Sequence, residues 1–288
     1  MNILLALLIY PGLALVLALG VAFTWLFARQ VPAATLLNSA PLRSLAGLAA
    51  LASLVLTGVG MALLPWPYHP ASTWAIIGNP AVLWALFEGA FLLPLLPGFL
   101  SPQPLVARAA AREAQIGAAG RCLFWLAAGS GLWLGARWSL LSIPGYILLL
   151  LAGLLALPAA MGQGPYGPEL SLSQAGAEEG LDVPTSTLVR FARLTRGAAL
   201  LATLAVALLP AFSGAGTPPA LQQRATTQIA PWAGLAIIAG LFVAAALVLR
   251  QVSELLPRFT LLGALRTLWR IALPLAVAGL IYLVVIVR

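Results

Sequence analysis

The 288-residue chain has no lysine, one cysteine, one histidine and few charges: 8% of its residues are Asp, Glu or Arg. Each scarcity excludes something. With Cys122 alone there is no internal disulfide, four-thiolate iron–sulfur cluster or four-cysteine zinc site. With His69 alone there is no bis-histidine haem, and a Ser-His-Asp set has only one candidate histidine. A Gly-rich phosphate loop and a carboxylate pair on a soluble scaffold are also missing, which argues against a self-contained hydrolase or kinase. The chain is expected to hold no cofactor and no metal, so any redox chemistry belongs to other subunits. The shortage of charge is the most informative: a soluble domain carries roughly a quarter charged residues, so this chain must meet lipid. The absence of lysine reads as a compositional bias of the source genome. The net charge of +8 records membrane topology and not a nucleic-acid partner.

What is present is apolar. Hydrophobic residues make up 62% of the chain. A bilayer core of ~30 Å needs about 20 apolar residues in a helix, and eight stretches qualify: 3–28, 44–64, 75–100, 114–136, 140–161, 188–212, 229–249 and 264–287. The expected fold is all-α, one integral membrane domain over 1–288. The third stretch carries Pro80, Pro94 and Pro97 and should kink or start late. The N-terminus lacks a positive leader and reads as a retained first span. The loops after spans 1, 3, 5 and 7 hold twelve of the fifteen arginines and the opposite side holds three. Positive charge collects on the cytoplasmic side, so both termini are expected outside, in a prokaryotic cytoplasmic membrane. Arg193 and Arg196, at the start of the sixth span, are expected to snorkel at the interface. Trp66, Trp74, Trp138 and Trp232 near span ends fit an aromatic belt.

Polar residues concentrate in three places. In 107–121, ARAAAREAQIGAAGR, a helix sets Arg108, Arg112 and Gln115 on one stripe with Glu113 beside it. That is either an interfacial anchor or the wall of a polar cavity open to the cytoplasm. In 162–190, Glu169, Glu178, Glu179 and Asp182 precede Arg190, Arg193 and Arg196, giving either a solvated loop or an ion network. Glu88 alone lies near a span centre, where a carboxylate needs a polar interior or a neighbouring helix; its own span offers no basic partner. His69, in Pro-Trp-Pro-Tyr-His-Pro, is expected at the surface, and Cys122 as a small buried residue.

At these residues the chain resembles a known family, the H-type membrane subunit of bacterial NADH-quinone oxidoreductase (respiratory complex I) and its counterpart in energy-converting membrane-bound hydrogenases. The likeness rests on the eight-span layout and on Leu256-Pro257-Arg258-Phe259, followed by Leu265-Arg266, Trp269-Arg270 and Leu273-Pro274-Leu275-Ala276. Arg112-Glu113 at the fourth span and the acidic loop after the fifth add to it. The loop 29–43 and the segment Tyr166-Gly167-Pro168-Glu169-Leu170 depart from the family pattern. The resemblance implies a non-catalytic subunit joining a soluble electron-transfer arm to a proton-translocating membrane arm. Its inner face would line a quinone chamber or equivalent cavity, with iron–sulfur and other membrane subunits as partners. Arg108, Arg112 and Glu113 would stand at the cavity mouth. Glu169, Glu178, Glu179 and Asp182 would form the acidic loop, with Arg190 and Arg193 as counter-charges; Glu88, read from its mid-span position alone, has either a proton-path or cavity role or a structural hydrogen bond to a neighbouring helix. The competing reading is a self-sufficient secondary transporter or channel, with Glu88 in the broken third span as its only candidate site.

Overall fold

A computed structural model describes residues 2–28, 43–70, 76–134, 139–168, 176–209 and 230–287. Among the described residues every regular element is a helix. They are α1 (Asn2–Leu8), α2 (Leu13–Ala28), α3 (Leu45–Ala62), α4 (Pro80–Leu92), α5 (Leu96–Phe99), α6 (Pro104–Leu134), α7 (Ile143–Met161), α8 (Val183–Leu208), α9 (Pro231–Leu255), α10 (Leu261–Thr267) and α11 (Leu273–Val287). Among the described residues, seven units are long and apolar enough to cross a membrane: Ile3–Phe27, α3, Pro80–Phe99, α7, α8, Trp232–Leu255 and Leu261–Ile286. They coincide with seven of the eight expected spans. The remaining one, 114–136, lies within α6, whose 31 residues give a length of about 46 Å. Arg108, Arg112, Glu113 and Arg121 make α6 less apolar than the others, and its helix begins ten residues before the expected start.

Prolines set the breaks. The first span is interrupted at Pro11-Gly12, between α1 and α2, where Pro11 has no N–H for the helical ladder. The third span starts at Pro80, with Asn79 capping the amides of Ala81 and Val82. It then tightens into a 3-10 turn at Leu93–Leu95 before α5. Of the two alternatives for this span, a kink or a late start, the late start holds, and the α-helix is interrupted at Leu93–Leu95. The last span passes through a π-turn at Leu268–Ala272, immediately before Pro274, which cannot donate to the carbonyl of Arg270.

At the centre stands α8, buried along its whole hydropathic length. It packs against α2, α3, α4, α6, α7 and α9. Its small side chains and those opposite make this possible, since helices in lipid associate through close packing. A β-carbon on Gly20 of α2 would lie 2.2 Å from Thr195 Oγ1. One on Gly131 of α6 would lie 2.4 Å from the carbonyl of Ala207. The outer spans are mostly lipid-facing: only 22–28% of the Leu261–Ile286, Ile3–Phe27 and Trp232–Leu255 windows is buried.

Candidate functional site

The site is built where α8 begins. Asp182 caps the helix, its carboxylate accepting from the Thr185 amide at 3.2 Å, and Pro184 sits in the first turn. Arg193 and Arg196 then fall three residues apart on one face. They are 6% and 5% exposed, so they do not snorkel; they turn into the protein. The Arg193 guanidinium holds two carboxylates from different elements. Its Nη2 lies 2.9 Å from Glu113 Oε1 on α6, and its Nη1 lies 3.1 Å from Glu178 Oε1. Glu178 belongs to the 3-10 turn Gly176–Glu178. The left-handed cap of α7, Gly162 at φ +65, closes over the same carboxylate: a β-carbon there would stand 3.3 Å from Glu113 Oε1.

Eight residues along α6, about 12 Å of helix rise, a second ion pair is buried. Arg121, 1% exposed, grips Glu88 of α4 with two donors, Nε to Oε2 at 2.6 Å and Nη2 to Oε1 at 2.5 Å. Its guanidinium carbon lies 3.3 Å from the centre of the Phe91 ring, and that of Arg196 lies 5.0 Å from the same centre. Both are cation–π contacts. Arg196 Nη1 also donates to the carbonyl of Ala90 at 3.0 Å, which accepts Ser53 Oγ at 2.6 Å as well. That carbonyl is open because Pro94, four residues on, has no N–H for it. The proline within the third span therefore supplies an acceptor for a buried cation.

An open cavity of about 660 Å³ adjoins the charged end of the bundle, between Phe27 at the end of α2, the segment 163–168, and the end of α9 with the loop 256–260 that follows it. Its lining mixes apolar Phe27, Leu256 and Pro257 with polar Gln163, Ser253 and Thr260. Arg112 ties two of its walls together, donating to the carbonyl of Gly167 at 2.8 Å and to that of Phe259 at 2.6 Å. The Phe259 amide in turn donates to the carbonyl of Pro165 at 2.7 Å. Arg258 Nη1 donates to the carbonyl of Pro168 at 2.9 Å, and the rings of Tyr166 and Phe259 meet edge-on at 5.4 Å. The Leu256-Pro257-Arg258-Phe259 block is thus a cavity wall.

No known family profile matches the chain, and no curated protein does. Among solved structures, a chain of the membrane-bound sulfane sulfur reductase, an archaeal respiratory membrane complex, superposes with a TM-score of 0.66. The match is 17% identical in sequence and covers 98% of this chain and 99% of that one. The likeness is one of fold. It extends over the whole length of both chains, so the arrangement of spans is shared and not only a fragment of it.

Not all of the expected residues meet. Glu113, Glu178 and Arg193 come together, and Arg112 stands beside them on α6. Arg108, Glu179, Asp182 and Arg190 remain exposed, and Asp182 is committed to capping. The expected stripe of Arg108, Arg112 and Gln115 does not share one environment, because Arg112 is buried while the other two face outward. Glu169 lies outside the described residues. Arg121, which counts as a loop charge in the sequence, instead pairs with Glu88 inside the bundle, and Arg196, expected in an ion network or an interfacial belt, lies against Phe91. Two further expectations are overturned. His69 is 3% exposed, its Nε2 2.7 Å from the carbonyl of Ala62, because the Pro-rich segment folds back against the end of α3. Burial also lowers its pKa from the usual imidazole value. Cys122 is exposed, since one helical step from inward-facing Arg121 turns it about 100°. Among the described residues, no group of three His, Cys, Asp or Glu is placed to hold a metal ion.

Burial pushes the Glu178 carboxyl up from its ordinary 4.5, against the pull of Arg193. Its pKa in the folded protein is then higher than in the open loop. Its contribution to loop closure is complete below the unfolded value and is lost as pH rises through the folded one. Amide hydrogen exchange in 176–181, corrected for intrinsic rates, should therefore be slowest at acid pH and accelerate as pH rises. Glu178→Gln should flatten that dependence. A corrected protection that is independent of pH in the wild type rejects this reading.

Proposed function

We propose that the chain is a non-catalytic membrane subunit of a multi-subunit respiratory oxidoreductase, akin to the H-type subunit of respiratory complex I or its counterpart in membrane-bound hydrogenases. It joins the soluble electron-transfer arm, which carries the iron–sulfur centres, to the ion-translocating membrane arm in a prokaryotic cytoplasmic membrane. The observation that carries this reading is the buried Glu113–Arg193–Glu178 cluster standing beside an open cavity at one end of the bundle. A cavity with apolar walls and a few polar groups suits an amphipathic ligand such as a quinone, or a segment of a partner subunit. A change of charge in or above it acts at short range on carboxylates already removed from water, and such groups respond by exchanging protons. The full-length fold likeness to a chain of a respiratory membrane complex supports the same reading. The transporter alternative needed Glu88 as an open ligand at mid-span, but its carboxylate is held by two donors of Arg121.

The test is Glu113→Gln in the assembled complex reconstituted into vesicles. The change keeps the shape and removes the titratable charge. Assembly should be preserved while ion pumping falls to a small fraction of wild type. Pumping at the wild-type rate would reduce Glu113 to a structural ion-pair partner. The topology belongs to the same proposal: the inner connections, expected at 29–43, 101–121, 162–190 and 250–266 and narrowed by the helices to 29–43, 100–103, 162–182 and 256–260, face the cytoplasm and both termini face outward. Single cysteines placed in these loops, with Cys122 replaced, should be protected from an impermeant label added outside. Outside labelling within 162–182 would reverse the orientation.

A further inference from the structure

The two ion systems approach each other across a small cavity of about 10 Å³, walled by Arg121, Arg193, Arg196, Phe91, Met161 and Leu200 among others. Three arginines on one such space is an unusual lining for the inside of a helical bundle. All three are more than nine-tenths buried, at 1%, 6% and 5% exposure. Each keeps a buried N–H that meets no acceptor: Nη1 of Arg121, Nε of Arg193 and Nε of Arg196. A buried donor attached to a charged group is costly to leave unpaired. Phe91, Met161 and Leu200 offer it no oxygen, and the nearby carbonyl of Ala90 already accepts from Ser53 and Arg196.

We infer that a single buried water occupies this cavity, accepting hydrogen bonds from two of the three guanidinia in the space where the Glu88–Arg121 pair and the Arg193 cluster approach each other. The size selects the ligand. The space is about that of one water, and two polar partners meet the minimum that a buried water needs. A polyatomic anion does not fit. The hydration site stands on this geometry alone. Its consequence, that Glu88 and Glu113 act as one charge system, rests on the coupling role proposed above.

The test is a density map of the assembled complex, at a resolution that shows ordered waters, for the wild type and for Gly197→Ala. A β-carbon on Gly197 would stand 2.4 Å from Met161 Cε, the flexible end of a side chain that lines the cavity. The substitution displaces that end without touching any charge. The wild-type map should show one peak within hydrogen-bond distance of at least two of the three guanidinia, and the variant map should lack it. An empty cavity in a wild-type map that shows other buried waters would falsify the inference. So would a peak that strengthens when bromide replaces chloride, which marks a halide. The wild-type map decides the site even where the variant fails to assemble, and it does so independently of pumping. The single charge system is read separately: Gly197→Ala should lower pumping, and a variant that lacks the peak yet pumps normally rejects it.

Discussion

Arg193→Met should destabilise the protein by about 3–5 kcal/mol, the usual cost of breaking a buried ion pair from one side. Arg193 holds Glu113 at 2.9 Å and Glu178 at 3.1 Å with one guanidinium. Its removal leaves two carboxylates facing each other inside the bundle with no cation between them. Arg193→Lys should fall between wild type and methionine, because an ammonium keeps the charge but lacks the planar fork that reaches both acids. Thermal unfolding of the purified complex measures the loss. The methionine variant should recover part of it on acidification, since two adjacent carboxylates can be relieved by sharing a proton. A melting temperature equal to wild type at neutral pH would mean that the cluster contributes nothing to stability.

Most of the fold was legible because a bilayer imposes a simple length rule. Seven of the eight expected stretches coincide with helices long and apolar enough to span. The prolines marked the third span as interrupted or late to start, because a missing N–H is a local fact. The failures came from non-local facts. The polar helix expected over 107–121 reads as an interfacial anchor or a cavity wall, yet α6 already starts at Pro104 and buries Arg112 and Glu113 inside the bundle. Arg193 and Arg196 read as an interfacial belt because counting by loop assigns any arginine near a span end to the water side. What decides otherwise is the small-residue surface of α8 and its neighbours, which leaves that helix no lipid-facing side. The pairing of Arg121 with Glu88, 33 residues apart, left no trace in either local segment. A usable signal did exist for Arg196: Pro94 must orphan the carbonyl of Ala90, and an orphaned carbonyl inside a bundle calls for a donor from another helix.

The Glu88–Arg121 pair should respond asymmetrically to the loss of either partner. Arg121→Met leaves a carboxyl that is 21% exposed and able to accept a proton, so its cost should lie at or below about 3 kcal/mol, the low end for a broken buried pair. Glu88→Met leaves a guanidinium that is 1% exposed and cannot shed its proton. It also leaves Arg121 and Arg196 sharing the Phe91 ring with no carboxylate opposite Arg121. That variant should be the worse of the two, nearer about 5 kcal/mol. The double variant Glu88→Met with Arg121→Met removes both charges and replaces them with adaptable apolar side chains. Its stability should return to within about 1 kcal/mol of wild type, since a buried pair often contributes little beyond cancelling its own desolvation. Thermal melts of the three variants form a closed cycle. Additive losses in the double variant, or Arg121→Met proving worse than Glu88→Met, would show that packing of Arg121 against Phe91, and not charge, governs this part of the core.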